Sequence, residues 1–68
     1  MKLSARNQIK GTVVSVDKGP VSSKVKIDIG GGNVITSSVT TETIEDLGLA
    51  SGDSVIAIIK SSDVIIGK

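Results

Sequence analysis

Lys24-Val25-Lys26-Ile27-Asp28-Ile29 alternates charged and β-branched side chains without a break. Successive residues of a strand point to opposite faces of a sheet. This spacing therefore sends Val25, Ile27 and Ile29 inward and Lys24, Lys26 and Asp28 toward water. Gly30-Gly31-Gly32-Asn33 follows, a run suited to the positive dihedrals of a hairpin loop, and leads into a third strand over about residues 34–39. Upstream, about residues 8–16 read as the first strand, with Val14 and Val16 on one face and Val13 and Ser15 on the other. Asp17-Lys18-Gly19-Pro20 closes it as a turn. Of the 68 residues, nine are Val, ten Ile and five Thr, against three Ala, three Leu and two Glu. Branched Cβ atoms lose rotamer freedom in a helix and pack well on a pleat, so the chain is expected to be mostly β.

One stretch breaks the pattern. Residues 40–49 read as a short helix, with Thr40 or Thr41 as its cap and Glu42, Glu45 and Asp46 in its body. Ile44 and Leu47 stand at i and i+3, and Gly48 suits the left-handed C-terminal position. Ser51-Gly52-Asp53 turns the chain again. Two further strands are expected, over residues 55–60 and 64–66, separated by Ser61-Ser62-Asp63. In the first of these Val55, Ala57 and Ile59 lie on one face and Ile56 and Ile58 on the other, so both faces call for burial. An apolar subunit interface would meet that need. The expected architecture is an OB-like five-stranded Greek-key barrel with one short helix between strands 3 and 4, as a single domain over residues 1–68.

Composition narrows the chemistry. A chain of 68 residues buries only about 60% of its unfolded surface. With no Cys and no His, neither a disulfide nor the usual zinc, haem or iron–sulfur ligands can reinforce it, which makes oligomerisation the natural remaining source of stability. No metal cation site is expected. The N-terminal Met1-Lys2-Leu3-Ser4-Ala5-Arg6 lacks the apolar core of a signal sequence, and no apolar run is long enough to span a bilayer. A cytoplasmic protein without a membrane partner is the expectation.

Eight Lys and Arg against seven Asp and Glu leave a net charge of +1, and there is no Phe, Tyr or Trp. Both facts argue against a nucleic-acid partner, which calls for a basic surface and stacking platforms. Nucleophilic catalysis lacks a base to activate the abundant Ser, so an enzyme is not expected. Glu42, Glu45 and Asp46 are most simply a solvated helix face. The glycine run precedes a strand rather than a helix and no Lys-Ser/Thr follows it, which makes it a hairpin and not a phosphate loop. What remains is ten Ser, five Thr, one Arg and the free N–H groups at a helix start. This set consists of donors. It suits a small tetrahedral dianion, which accepts hydrogen bonds and offers none.

Ser4-Ala5-Arg6-Asn7-Gln8-Ile9-Lys10-Gly11 resembles the signature that opens the molybdenum-pterin-binding protein (Mop, or molbindin) family, whose fold also occurs as the TOBE module. The likeness continues through Gly31-Gly32-Asn33 and Ile35-Thr36-Ser37 to Glu45-Asp46-Leu47-Gly48-Leu49. It closes with Val55, Ala57, Ile59-Lys60-Ser61 and Asp63-Val64. The resemblance implies a barrel assembled as a trimer of dimers, a homohexamer that holds molybdate, and tungstate with it, between subunits. Carried over by position, Ser4, Ala5 (through its backbone) and Arg6 come from one chain, and Thr40, Thr43, Lys60 and Ser61 from its neighbour. The implied role is cytoplasmic binding, buffering or storage of the oxyanion. No pterin is expected, because nothing in the chain could stack one. Two other readings stay open: an OB-type nucleic-acid-binding module, and a structural or regulatory oligomerisation module whose anion site is vestigial.

Overall fold

The computed structural model describes residues 4–68. Met1–Leu3, the first half of the N-terminal segment in which a signal core was sought and the start of the expected domain, lie outside the described residues. The chain runs β1 (Asn7–Lys18), β2 (Ser22–Gly30), β3 (Asn33–Thr40), α1 (Thr41–Leu47), β4 (Ser54–Ile59) and a single 3-10 turn, Ser61–Asp63. Every strand pairing is antiparallel. β1, β2 and β3 follow one another as neighbours, and β4 returns after α1 to lie beside β1, giving the order β3-β2-β1-β4.

The alternation in Lys24–Ile29 holds as expected. Val25 and Ile27 are buried and Ile29 is half-buried, while Lys24, Lys26 and Asp28 are exposed. The hairpin after it is a two-residue Gly31-Gly32 turn with φ of 63° and 78°. Both central residues of this turn type need positive φ, and glycine reaches it without a Cβ clash. Asp28 steadies the loop by accepting the Gly30 N–H at 2.8 Å.

β1 departs from the simple two-residue alternation. Its register with β2 passes from Val13↔Ile27 directly to Ser15↔Lys26, leaving Val14 as the extra residue of a β-bulge. The bulge shifts the inward phase by one, so Val13 and Val16 face the core and Val14 is 48% exposed. The expected pairing of Val14 with Val16 on one face is thereby corrected. The turn after α1 docks on this bulge: Gly52 N–H donates to Val13 O (2.8 Å), Val13 N–H to Asp53 O (2.9 Å) and Ser51 Oγ to Val14 O (2.8 Å). β1 also extends through Asp17 and Lys18, which leaves the turn to residues 19–21. At Gly11 the two strands approach so closely that a Cβ would stand 2.5 Å from Ile27 Cγ2 and 2.8 Å from the Asp28 carbonyl oxygen. Glycine is required there by space alone.

α1 forms where expected, and Thr40 rather than Thr41 is its cap. It ends in a Schellman arrangement: Gly48, at φ 61°, donates to Glu45 O, and Leu49 N–H donates to Ile44 O at 3.1 Å. Ile44 is 1% exposed and joins Val13, Val25, Ile27 and Ala57 in the core. Leu47, expected to share that apolar face, is instead 66% exposed.

The fifth strand is not present among the described residues. The 3-10 turn carries the chain off the end of β4, and Ile65 and Ile66 are 93% and 90% exposed. A β-branched run states a preference for extended backbone, but it does not say where a partner strand lies. Between the unpaired edges of β3 and β4 the sheet leaves a cleft of about 250 Å³, whose apolar lining includes Ile35, Val39, Val55 and Ala57. On the outer face of β4, Ile56 and Ile58 are 44% and 43% exposed. The chain exposes 5276 Å², whereas a compact monomer of this mass exposes about 4,000 Å².

Candidate oxyanion site

The seven residues singled out for anion binding fall into two groups. The first forms where β1 begins and β4 ends. The β1–β4 ladder runs from Thr12↔Ser54 to Asn7↔Ile59, so Arg6 and Lys60, each one residue further on, stand at the same end of one strand pair. The Asn7 side chain reinforces that end by donating from Nδ2 to the Ile59 carbonyl at 3.1 Å. Gln8 Nε2 donates to the Ala5 carbonyl at 3.3 Å, drawing residues 5–8 into a bend. Ser4, Arg6, Lys60 and Ser61 are exposed and Ala5 is half-buried. Lys60 and Ser61 are held through their backbones. Lys60 O accepts the Asp63 N–H at 2.9 Å and Ser61 O accepts the Val64 N–H at 3.3 Å, which leaves both side chains at the surface.

The second group, Thr40 and Thr43, belongs to the start of α1. Thr40 Oγ1 accepts the Thr43 backbone N–H at 3.1 Å, and the two hydroxyls lie 2.8 Å apart. One proton occupies that hydroxyl–hydroxyl bond, so the pair presents one hydroxyl proton outward rather than two. Beneath it Thr41 fastens the helix to the sheet. Its hydroxyl donates to Gly19 O at 2.7 Å and lies 2.8 Å from the buried Ser23 Oγ. A carbonyl only accepts, so the Thr41 proton goes to Gly19 and Ser23 is the donor to Thr41. The Thr41 N–H adds a bond to Val21 O at 2.8 Å. Ser23, 2% exposed, was not among the singled-out residues. A hydroxyl placed at an inward position of an otherwise apolar strand face is the sequence signal that could have found it.

Within one chain the groups sit at opposite ends of β1. Asn7 pairs with Ile59 at one end, and Lys18 pairs with Ser23 beside Thr40 at the other. No hydrogen bond among the described residues links one group to the other. Lys60 and Ser61, which the resemblance grouped with Thr40 and Thr43, lie beside Arg6 in their own chain. The recess next to Thr40 and Thr41 is lined also by Pro20, Val21, Glu42 and Glu45, so it holds two carboxylates and no cation. Taken alone it repels a dianion. Among the described residues no three Asp or Glu gather as a metal site, and no helix is long and apolar enough to cross a membrane.

Residues 3–66 match the TOBE domain. The chain is 51% identical over 67 residues to a probable molybdenum-pterin-binding protein of Haemophilus influenzae, covering 98% of this chain and 97% of that one. Its structure superimposes on that of a molybdate-binding protein from Sporomusa ovata with a TM-score of 0.93 and 34% identity, each chain covered in full. It also superimposes on the cytoplasmic molybdate-binding protein ModG, solved with molybdate bound. There the TM-score is 0.85 and the identity 44%, over 90% of this chain and 43% of that one. Fold, signature and near-complete sequence coverage agree: the chain belongs to the molybdenum-pterin-binding protein family, built on the TOBE domain.

Proposed function

We propose that this protein binds molybdate, and tungstate by the same contacts, and that it buffers or stores the ion in the cytoplasm as a homo-oligomer. The observation that carries this reading is the backbone register that brings Arg6 and Lys60 to one strand end, with Ser4 and Ser61 exposed nearby in the chain. Two positive charges balance a dianion, and hydroxyl and amide donors meet oxygens that only accept. A related chain solved with molybdate bound, and described as cytoplasmic, points the same way. None of the contacts calls for a pterin, a metal cation or a catalytic group.

The division of the site within one chain supports its completion between chains. Arg6 and Lys60 lack the threonine pair, and Thr40 borders a recess that holds Glu42 and Glu45 of its own chain. A neighbouring copy that sets its Thr40 and Thr43 against the Arg6–Lys60 end supplies both deficits. The order β3-β2-β1-β4 suits a Greek-key barrel once a fifth strand fills the cleft between β3 and β4. Residues 64–66 of another copy are apolar and exposed, and pair with no strand of their own chain. The excess exposed surface and the bare Ile56 and Ile58 favour assembly over a monomer, and the resemblance implies a hexamer, a trimer of dimers.

Isothermal titration with sodium molybdate, against sodium sulfate at equal concentration, tests the proposal. Saturable micromolar or tighter binding of molybdate alone is expected. A flat trace from folded, oligomeric protein overturns it.

A further inference from the structure

The two carboxamides at Asn7 and Gln8 belong to neither donor group, yet they make the bonds that shape the Arg6–Lys60 end. Asn7 is half-buried, and its Nδ2 reaches across to the Ile59 carbonyl at 3.1 Å, 52 positions away in the chain. That bond ties the residue after Arg6 to the residue before Lys60, so it sets the spacing of the backbones from which both cations depart. Gln8 acts locally. Its Nε2 holds the Ala5 carbonyl at 3.3 Å. The Ala5 carbonyl and the Arg6 N–H share one planar trans peptide and point in opposite directions. Holding the carbonyl on the Gln8 side therefore directs the Arg6 N–H to the other side and fixes the bend from which the guanidinium extends. An amide or a cation preset in this way loses less conformational freedom when an anion arrives.

We propose that Asn7 and Gln8 are positioning residues for oxyanion binding: Asn7 sets Arg6 against Lys60, and Gln8 locks the Ala5–Arg6 peptide as a donor. The role rests on the oxyanion reading above and deepens it. Neither side chain needs to touch the ion.

Asn7→Leu and Gln8→Met keep size and charge and delete the donor. In the full-length protein, titration with molybdate is expected to show about tenfold weaker binding for Asn7→Leu and about threefold for Gln8→Met, the range of one lost hydrogen bond. Asn7→Leu is then repeated in an Arg6→Ala background, which removes the side chain Asn7 positions but keeps the backbone N–H that Gln8 positions. A residue acting through Arg6 loses most of its effect there, leaving less than about a twofold further decrease. A side chain that merely stabilises the fold weakens binding by the same factor in both backgrounds, and that result overturns the proposal. Wild-type affinity in Asn7→Leu also overturns it.

Backbone ¹⁵N relaxation of the ligand-free protein provides a second readout. Gln8→Met is expected to raise fast motion at Ala5 and Arg6 while leaving Ile9 unchanged, and unaltered relaxation at both residues removes the clamp. Circular dichroism monitors folding. Should Asn7→Leu fail to fold, the surface variant Gln8→Met carries the test. A wild-type protein that ignores molybdate overturns the oxyanion reading and the role built on it. Binding that survives both variants overturns the role alone.

Discussion

Arg6 and Lys60 stand where two strands run out, whereas Thr40 and Thr43 are built into the start of a helix, and the two supports respond differently to change. At the strand end the backbone register sets position, and the charged side chains contribute little to the fold that displays them. At the helix start the Thr40 hydroxyl that could face an anion is also the cap of α1, and the Ser23–Thr41–Gly19 chain fastens that cap to the sheet. The cations can therefore be altered with little structural consequence, whereas the threonines combine a proposed recognition role with stability.

The most severe way to break this comparison keeps both groups and removes what is proposed to join them. A chain ending at Asp63 loses the unpaired segment 64–68, and it should sediment as a smaller species with molybdate affinity reduced at least about 100-fold. A hexamer with native affinity would sever assembly from the C-terminal segment. Arg6→Ala follows in size. A charge-assisted hydrogen bond contributes about 1.5–3 kcal/mol, so binding should weaken about 10- to 150-fold. The thermal midpoint of the ligand-free protein should stay within about 2 °C, as expected for an exposed residue outside the core.

Thr40→Val and Thr43→Val sharpen the contrast. Both should weaken molybdate binding by about tenfold, but only Thr40→Val removes the cap. That loss is about 1 kcal/mol, or about 4–8 °C of thermal midpoint in a domain of this size. Equal midpoints for the two variants would show that the cap contributes nothing to stability. The smallest effect is ionic. Raising sodium chloride from about 20 to about 200 mM shortens the Debye length severalfold and should weaken the wild-type protein by about threefold. The same change should weaken Arg6→Ala by a smaller factor, because only Lys60 remains to be screened.

How much of this was legible beforehand differs by element. The β2 alternation, the Gly31-Gly32 hairpin and the Gly48 helix stop were readable because each depends on local physics: side-chain parity or the sign of φ. The bulge at Val14 was not, since Val13, Val14, Ser15 and Val16 have no composition that marks the extra residue. The distant turn at Ser51–Asp53 docks on it, a long-range contact that no local sequence pattern announces. The expected strand over 64–66 had the right residues for extended structure, but its partner cannot be read from its own letters. In the site, Arg6 and Lys60 were nameable as the charged members of a signature. Their adjacency in one chain is a property of the β1–β4 register, which spans most of the sequence. Ser23 shares the inward parity of Val25 and Ile27, but its role depends on Thr41, which the fold brings to it across 18 positions.

The division of β1 between two partners also orders how the molecule comes together. Its second half pairs with β2 across a short turn, and β2 pairs with β3 across two glycines, so three strands can zip through local loops. Its first half must wait for β4, whose pairing joins positions as distant as Asn7 and Ile59. Closing that long loop is the larger entropic step, which places β4 late on the folding path. Arg6 meets Lys60 only when this last strand arrives. A nascent or partly folded chain thus carries the threonine end before the cationic end, and the proposed site is complete only in molecules whose folding is finished.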